Sequence, residues 1–139
     1  MDKFSNKVLI KKLKRIPVVG GDIIKIVSKN DEAYEGFGET YFSLINNNSI
    51  KCWKRHSKVT SNIVVPFGKV RFVFFDGDKS FHEVILDDKC STKLTIKPGI
   101  WFGFQGLNSP HSIVMNLIDS VHDPKESEKM KKEDLNFNW

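Results

Sequence analysis

The feature that most constrains this chain is its succession of short β-branched and aromatic runs, each closed by turn-forming residues. "NIVVPFGKVRFVFFDGD" is the clearest case: an apolar run, a "PFG" turn, a second run with a period of two, and an Asp-Gly turn. A period of two places alternate side chains on opposite faces of a strand, and no helix can bury that pattern on one side. The pattern predicts strands near Val8–Lys14, Ile23–Ser28, Glu39–Ile45, Ile50–Arg55, Ser61–Pro66, Gly68–Phe75, Phe81–Leu86, Lys93–Ile96, Trp101–Gln105 and Ser112–Ile118. Between them lie "VVGGD", "NNN", "PFG", "DGDK", "KPG" and "LNSP", all rich in residues that favour turns. Many short strands in one chain leave edges to protect. A double-sheet jelly roll solves that problem and leaves an open mouth for a small ligand.

The 139 residues suit one domain, 1–139, with a core of its own. No apolar run reaches membrane-spanning length, and "KVLIKKLKRIPVV" is interrupted by lysines, so it has no signal-peptide character. The expectation is a cytoplasmic protein with no membrane partner. Cys52 and Cys90 lack metal-type spacing and are expected to stay reduced. The formal charge of +5 favours anionic ligands, but 22 Lys and Arg are interleaved with 17 Asp and Glu. The aromatics fall at packing periods and no basic stripe stands out, so nucleic acid is not an expected partner. In "HDPKESEKMKKEDL", Asp123 reads as an N-cap and Pro124 as a first helical residue, which predicts a short exposed helix over 124–134. The closing "NFNW" is expected to pack on the body or on a partner subunit.

"SIKCWKRHSK", Ser49 to Lys58, gathers four cations, a histidine and a tryptophan without a carboxylate. Strand alternation puts Cys52, Lys54 and His56 on one face and Lys51, Trp53 and Arg55 on the other. In "GETYFS" it groups Glu39, Tyr41 and Ser43. A lumen holding Glu, Tyr, Lys and His has the parts for proton transfer beside a carbonyl: a base, a donor, and a cation for an enolate oxygen. Set against this, a lone strand histidine is more often a surface or structural residue, and Trp53 more often packs a sheet than carries a ligand. His82, His111 and His122 carry no assigned role.

The blocks "FGETYFS", "SIKCWKRHSKVTSNIVVPFGKVRFVFFD", "LTIKPGIWFGFQG" and "HDPKE", from Gly36 to Glu126, resemble the dTDP-4-dehydrorhamnose 3,5-epimerase family of cupins. The likeness is to its short branch, found in polysaccharide-biosynthesis loci. The resemblance implies an all-β cupin jelly roll, a homodimer, and a pocket for a dTDP-linked 4-keto-6-deoxy sugar. The implied chemistry is proton abstraction beside the 4-keto group, in polysaccharide or O-antigen biosynthesis. The residue-by-residue likeness sets Lys51 at a diphosphate-contacting position and Lys54 where the family keeps its catalytic histidine. His56 matches the second histidine of the short branch and of the sugar-nucleotide 3,4-ketoisomerases. The family's pocket lysine falls near Ser61 or Asn62, Asp76 is kept, and the family's tyrosine acid falls near Val114 or Met115. Where metal-binding cupins supply four ligands, this chain has Lys54, His56, Ser61 and Phe102, so no metal and no other cofactor are expected.

The expected catalytic set is therefore His56 as base, Lys54 at the enolate, and Tyr41 or Glu39 returning the proton. Lys51, Arg55 and Arg71 are candidates for the diphosphate, with Arg55 at the rim or reaching a partner's pocket. Glu39, Ser43, Asn62, Trp101 and Phe102 complete the candidate substrate contacts. The alternatives are a 3,4-ketoisomerase and a sugar-nucleotide-binding cupin without catalysis.

Overall fold

The computed structural model describes residues 2–78 and 80–139. Its strands are β1 (Asp2–Ser5), β2 (Val8–Lys12), β3 (Arg15–Ile16), β4 (Ile23–Ile24), β5 (Glu39–Asn46), β6 (Ile50–His56) and β7 (Ser61–Phe67). They continue as β8 (Lys69–Phe75), β9 (Phe81–Asp87), β10 (Thr92–Ile96), β11 (Trp101–Gly106), β12 (His111–Ile118) and β13 (Ser127–Lys129). A six-stranded sheet in the order β1-β2-β10-β7-β12-β5 faces a five-stranded sheet in the order β13-β6-β11-β8-β9, and β3 and β4 form a small ribbon. Every named strand pair is antiparallel. This is an all-β, cupin-like sandwich.

Alternation explains how the faces meet. On β12, Ser112, Val114, Asn116 and Ile118 are buried, whereas their neighbours are only half-buried. The inward side chains of both sheets make one core that includes Ile45, Ile63, Phe72, Phe74, Leu94, Phe102 and Val114. Burial of such apolar area is the main stabilising term for a fold of this size.

Three expectations are corrected. The run Ile23–Ser28 shortens to the two residues of β4, and Val8–Lys14 stops at Lys12. The expected helix over 124–134 is absent: residues 124–126 form a turn, β13 follows, and Lys132–Asp134 make a single 3₁₀ turn. The start signals were sound locally, since the Asp123 side chain accepts from Lys125 N–H and Glu126 N–H donates to Asp123 C=O. The segment has no apolar stripe to support a helix, and the edge of β6 offers it a ladder instead. There Ser127 pairs with His56, Glu128 with Arg55 and Lys129 with Lys54. Of the "DGDK" turn, Lys79 lies outside the described residues.

Beyond β13 the chain covers the outer face of the five-stranded sheet, as expected for "NFNW". Trp53 is buried there, its ring 5.3 Å from Trp139 and 6.4 Å from Phe137, and its indole N–H donates to Lys132 C=O at 3.2 Å.

Candidate active site

β6 does not alternate cleanly. Its register with β11 runs Lys54↔Phe102 and then Lys51↔Phe104, so three steps on β6 match two on β11. The extra residue is a bulge at Cys52–Trp53, opposite Gly103. A Cβ on Gly103 would lie 2.4 Å from the Cys52 Cβ, so only glycine allows the bulged strand to sit this close. The bulge corrects the expected face assignment. Lys51 turns to the inner side with Lys54 and His56, while Trp53 and Arg55 keep outward partners.

That inner side lines a cavity of about 410 Å³ between the sheets. Tyr41 and Ser43 of β5, Ile63 of β7, and Val114 and Asn116 of β12 form one wall. Lys51, Lys54 and His56 of β6, Phe102 and Phe104 of β11, and Lys129 of β13 form the other. The floor is apolar, and the polar groups converge from both sheets, which is the ordinary composition of a small-ligand site.

At one end, His56 Nδ1 lies 2.6 Å from Glu126 Oε1, and both side chains are about nine-tenths buried. Glu126 Oε2 accepts from the backbone N–H groups of Ser57, Lys58 and Val59. Burial on its own would raise the Glu126 pKa. The backbone N–H of Lys58, the His56 contact and the N–H of Val59 outweigh it and hold the carboxyl down at about 2. Glu126 is therefore an acceptor only. His56 therefore donates from Nδ1, and in the neutral ring Nε2 carries the lone pair. The His56 ring stacks on Phe102 at 6.1 Å, which fixes its plane.

Three ammonium groups surround the rest of the cavity. Lys51 donates to Leu44 C=O at 2.8 Å and lies 3.4 Å from Ser43 Oγ. Lys54 stands opposite Lys129 across the β6–β13 ladder. Desolvation lowers the Lys54 pKa, the neighbouring Lys129 charge lowers it further, and Glu126 partly opposes them. Among the described residues none of the three lysines has a carboxylate within ion-pair distance. An anionic ligand would supply the missing countercharge. At the opposite wall, Asn116 Nδ2 donates to Tyr41 Oη at 3.1 Å and approaches Ser61 Oγ at 3.4 Å.

The site thus gathers His56, Lys54, Tyr41, Lys51, Ser43 and Phe102 from the expected set. Others lie elsewhere. Glu39 accepts from His122 N–H outside the cavity lining. Asn62 is buried on the far side of β7, where its Oδ1 accepts from Thr95 Oγ1 at 2.6 Å. Arg55 and Trp101 stack on the outer face of the five-stranded sheet, 4.7 Å from guanidinium to ring centroid, and Arg55 also pairs with Glu128. Arg71 is held there too, by Glu83 and the Trp139 backbone oxygen. For Arg55, Asn62, Arg71 and Trp101 strand alternation sends the side chain to the face away from the cavity, whereas Glu39 shares the face of Tyr41 and Ser43 but sits at the first position of β5, outside the lining. Glu126, Lys129 and Asn116 were not anticipated. The "HDPKE" block was the one signal for Glu126, and the helix expected there placed it on an exposed turn. Among the described residues, no group of three or more His, Cys, Asp or Glu side chains is arranged to hold a metal ion.

Solved structures share this architecture. A dTDP sugar isomerase from Desulfovibrio desulfuricans G20 superposes with a TM-score of 0.86 at 29% identity, over 96% of this chain and 91% of that one. A dTDP-4-dehydrorhamnose 3,5-epimerase from Bacillus anthracis str. Ames, with TDP and PPi bound, gives 0.86 at 18% identity, over 100% and 88%. A 3,4-ketoisomerase from Thermoanaerobacterium thermosaccharolyticum, in complex with TDP-4-keto-6-deoxyglucose, gives 0.79 at 18% identity, over 91% and 90%. No family model and no curated protein matches the chain. The likeness to the 3,5-epimerases read from the sequence blocks therefore extends to the whole fold.

Proposed function

We propose that this chain is a dTDP-sugar isomerase of the epimerase and ketoisomerase type, acting on a dTDP-linked 4-keto-6-deoxy sugar by proton transfer beside the ketone. The observation that carries the reading is the His56–Glu126 pair in a lysine-lined cavity. Its support from known proteins is the 29% identical dTDP sugar isomerase that matches almost end to end.

The chemistry follows from the groups present. His56 Nε2 takes the proton from the carbon next to the carbonyl, and the Glu126 carboxylate stabilises the imidazolium that forms. The negative charge passes to the carbonyl oxygen, where the Lys54 ammonium stabilises it. Tyr41 Oη, held by Asn116, returns a proton. Lys51 and Lys129 neutralise the diphosphate. Return of the proton to the same carbon from the other face gives an epimer. Return to the former carbonyl carbon, with the hydroxyl proton shifted, gives the 3,4-ketoisomer.

Incubation with TDP-4-keto-6-deoxyglucose in deuterated water tests this, with NMR reading the ring positions. Deuterium at C3 or C5 indicates epimerase-type chemistry, and a new C4–D bond with a 3-ketone indicates ketoisomerase chemistry. Tight binding with no exchange would establish the non-catalytic alternative and overturn the proposal.

Lys54 offers a second test. Its pKa is lowered in the folded state, so its charged form costs stability below its unfolded pKa, and the cost disappears as pH rises through that range. Lys54→Met is expected to leave Tm unchanged or higher at pH 7 while lowering exchange roughly tenfold to a thousandfold. A fall in Tm, with exchange retained, would remove Lys54 from the reaction.

The homodimer belongs to the proposal. β5 is an unpaired edge of the six-stranded sheet, and Phe42 and Leu44 on it are more than half exposed, with Phe67 nearby at 44%. A second copy would cover this strip. Light scattering should give twice the monomer mass, and Phe42→Glu should return the monomer. The polysaccharide setting is likewise part of the reading, motivated by the motif resemblance.

A further inference from the structure

Asn116 is 8% exposed and lines the cavity, yet its Oδ1 has no hydrogen-bond partner among the described residues. The other head of the same carboxamide is occupied by Tyr41 Oη at 3.1 Å and approaches Ser61 Oγ at 3.4 Å. Those two neighbours are hydroxyls, which donate or accept equally well. Rotating the carboxamide by half a turn would therefore keep the Tyr41 and Ser61 contacts and leave Nδ2 unpaired instead. In either setting one buried polar head of this cavity-lining residue is left unsatisfied. A buried amide head in that condition costs about 1–3 kcal/mol, so the free protein holds a demand that a ligand can meet.

The demand narrows the partner. A donor meets Oδ1 in one setting and an acceptor meets Nδ2 in the other, and a hydroxyl suits both. The cavity already carries three ammonium groups for the phosphates and the carbonyl oxygen, and that leaves the sugar hydroxyls for the amide. Asn116 also adjoins Tyr41, the proposed proton donor, so the group it meets lies next to the reacting carbons. We propose that Asn116 is a specificity residue that accepts a sugar hydroxyl on a carbon at or adjacent to the reacting centre, so that the site selects sugars hydroxylated there over deoxy sugars. This rests on the reading of the cavity as a nucleotide-sugar site. Truncating a ligand that such a site is built to pair leaves the protein group buried and empty, which is why this kind of discrimination is large.

The test is a binding comparison by calorimetry, with TDP, TDP-4-keto-6-deoxyglucose, and its 2-deoxy and 3-deoxy analogues. The wild type should bind one of the two deoxy sugars roughly tenfold to a hundredfold more weakly than the parent. Asn116→Leu, close in volume and without polar heads, should bring that ratio to about one while TDP affinity is unchanged. Should the leucine variant fail to fold, Asn116→Ala serves in the same comparison. Equal affinity of the wild type for all three sugars would overturn the inference, as would discrimination that survives in both variants. If TDP itself does not bind, the nucleotide-sugar reading falls, and this inference falls with it. If TDP binds and the sugars are not discriminated, only the Asn116 inference is lost.

Discussion

His56→Ala is expected to lower the rate of deuterium entry into TDP-4-keto-6-deoxyglucose by about a hundredfold to ten-thousandfold, with TDP affinity essentially retained. A positioned general base contributes roughly 10²–10⁴ in rate, and His56 is the one side chain in the cavity lining whose tautomer the structure dictates. Glu126 can only accept, so the Nδ1 proton points to it, and in the neutral ring Nε2 presents its lone pair. Alanine removes the base but leaves Lys51 and Lys129 to hold the phosphates. The measurement is the NMR exchange rate together with a TDP titration. Exchange that persists at the wild-type rate would transfer the role of base to Lys54, whose lowered pKa makes a neutral amine more accessible.

Glu126→Gln separates two roles of one carboxylate. In the reaction the imidazolium loses its countercharge and Nδ1 loses an obligatory acceptor, so exchange should fall about a hundredfold to a thousandfold. In the fold, Glu126 is held down at about 2, below its ordinary value of 4.5. A depressed carboxylate contributes stability that is present above about pH 4.5 and lost as pH falls toward about 2. The glutamine variant cannot titrate. Its stability at pH 7 should drop by about 1–3 kcal/mol, because three backbone N–H groups lose a charged acceptor. The gap from wild type should narrow as the pH falls through that window. Chemical denaturation at a series of pH values reads this directly. A gap that stays constant with pH would show that the charge on Glu126 does not stabilise the loop after β6.

Much of the architecture was legible along the chain. Period-two runs and their turn residues located β5 through β12 to within a residue or two, because each depends on neighbours a few positions apart. The motif resemblance pointed to Phe102, and the same alternation found Tyr41, Ser43, Lys54 and His56 in the cavity. It failed at Lys51 because a bulge inserts one residue, and a shift of one residue exchanges the faces. Gly103, which permits the bulge, lies on another strand. Alternation set Arg55 on the outward face, where it lies. Arg55, Arg71 and Trp101, expected as ligand contacts, lie outside the cavity because a cationic or aromatic side chain in a strand suits an outer face as well as a pocket. Asn62 was a candidate because the resemblance set the family's pocket lysine near Ser61 or Asn62, whereas it pairs with Thr95 beneath the Ala33 segment.

Glu126 was beyond such reasoning. Its partner His56 lies 70 positions away, and the residues around it carry a local helix-start signal. The unpaired edge of β6 offered that segment more hydrogen bonds than a short solvated helix would, and so it became β13, with Glu126 set over the His56 ring nitrogen and Lys129 beside Lys54. Local patterning was enough to specify an all-β sandwich and to turn one lysine–histidine face inward, since pleat and turn geometry are short-range. Which groups met that face was decided by packing, because hydrogen-bond capacity left over at a sheet edge can be filled by any part of the chain that reaches it.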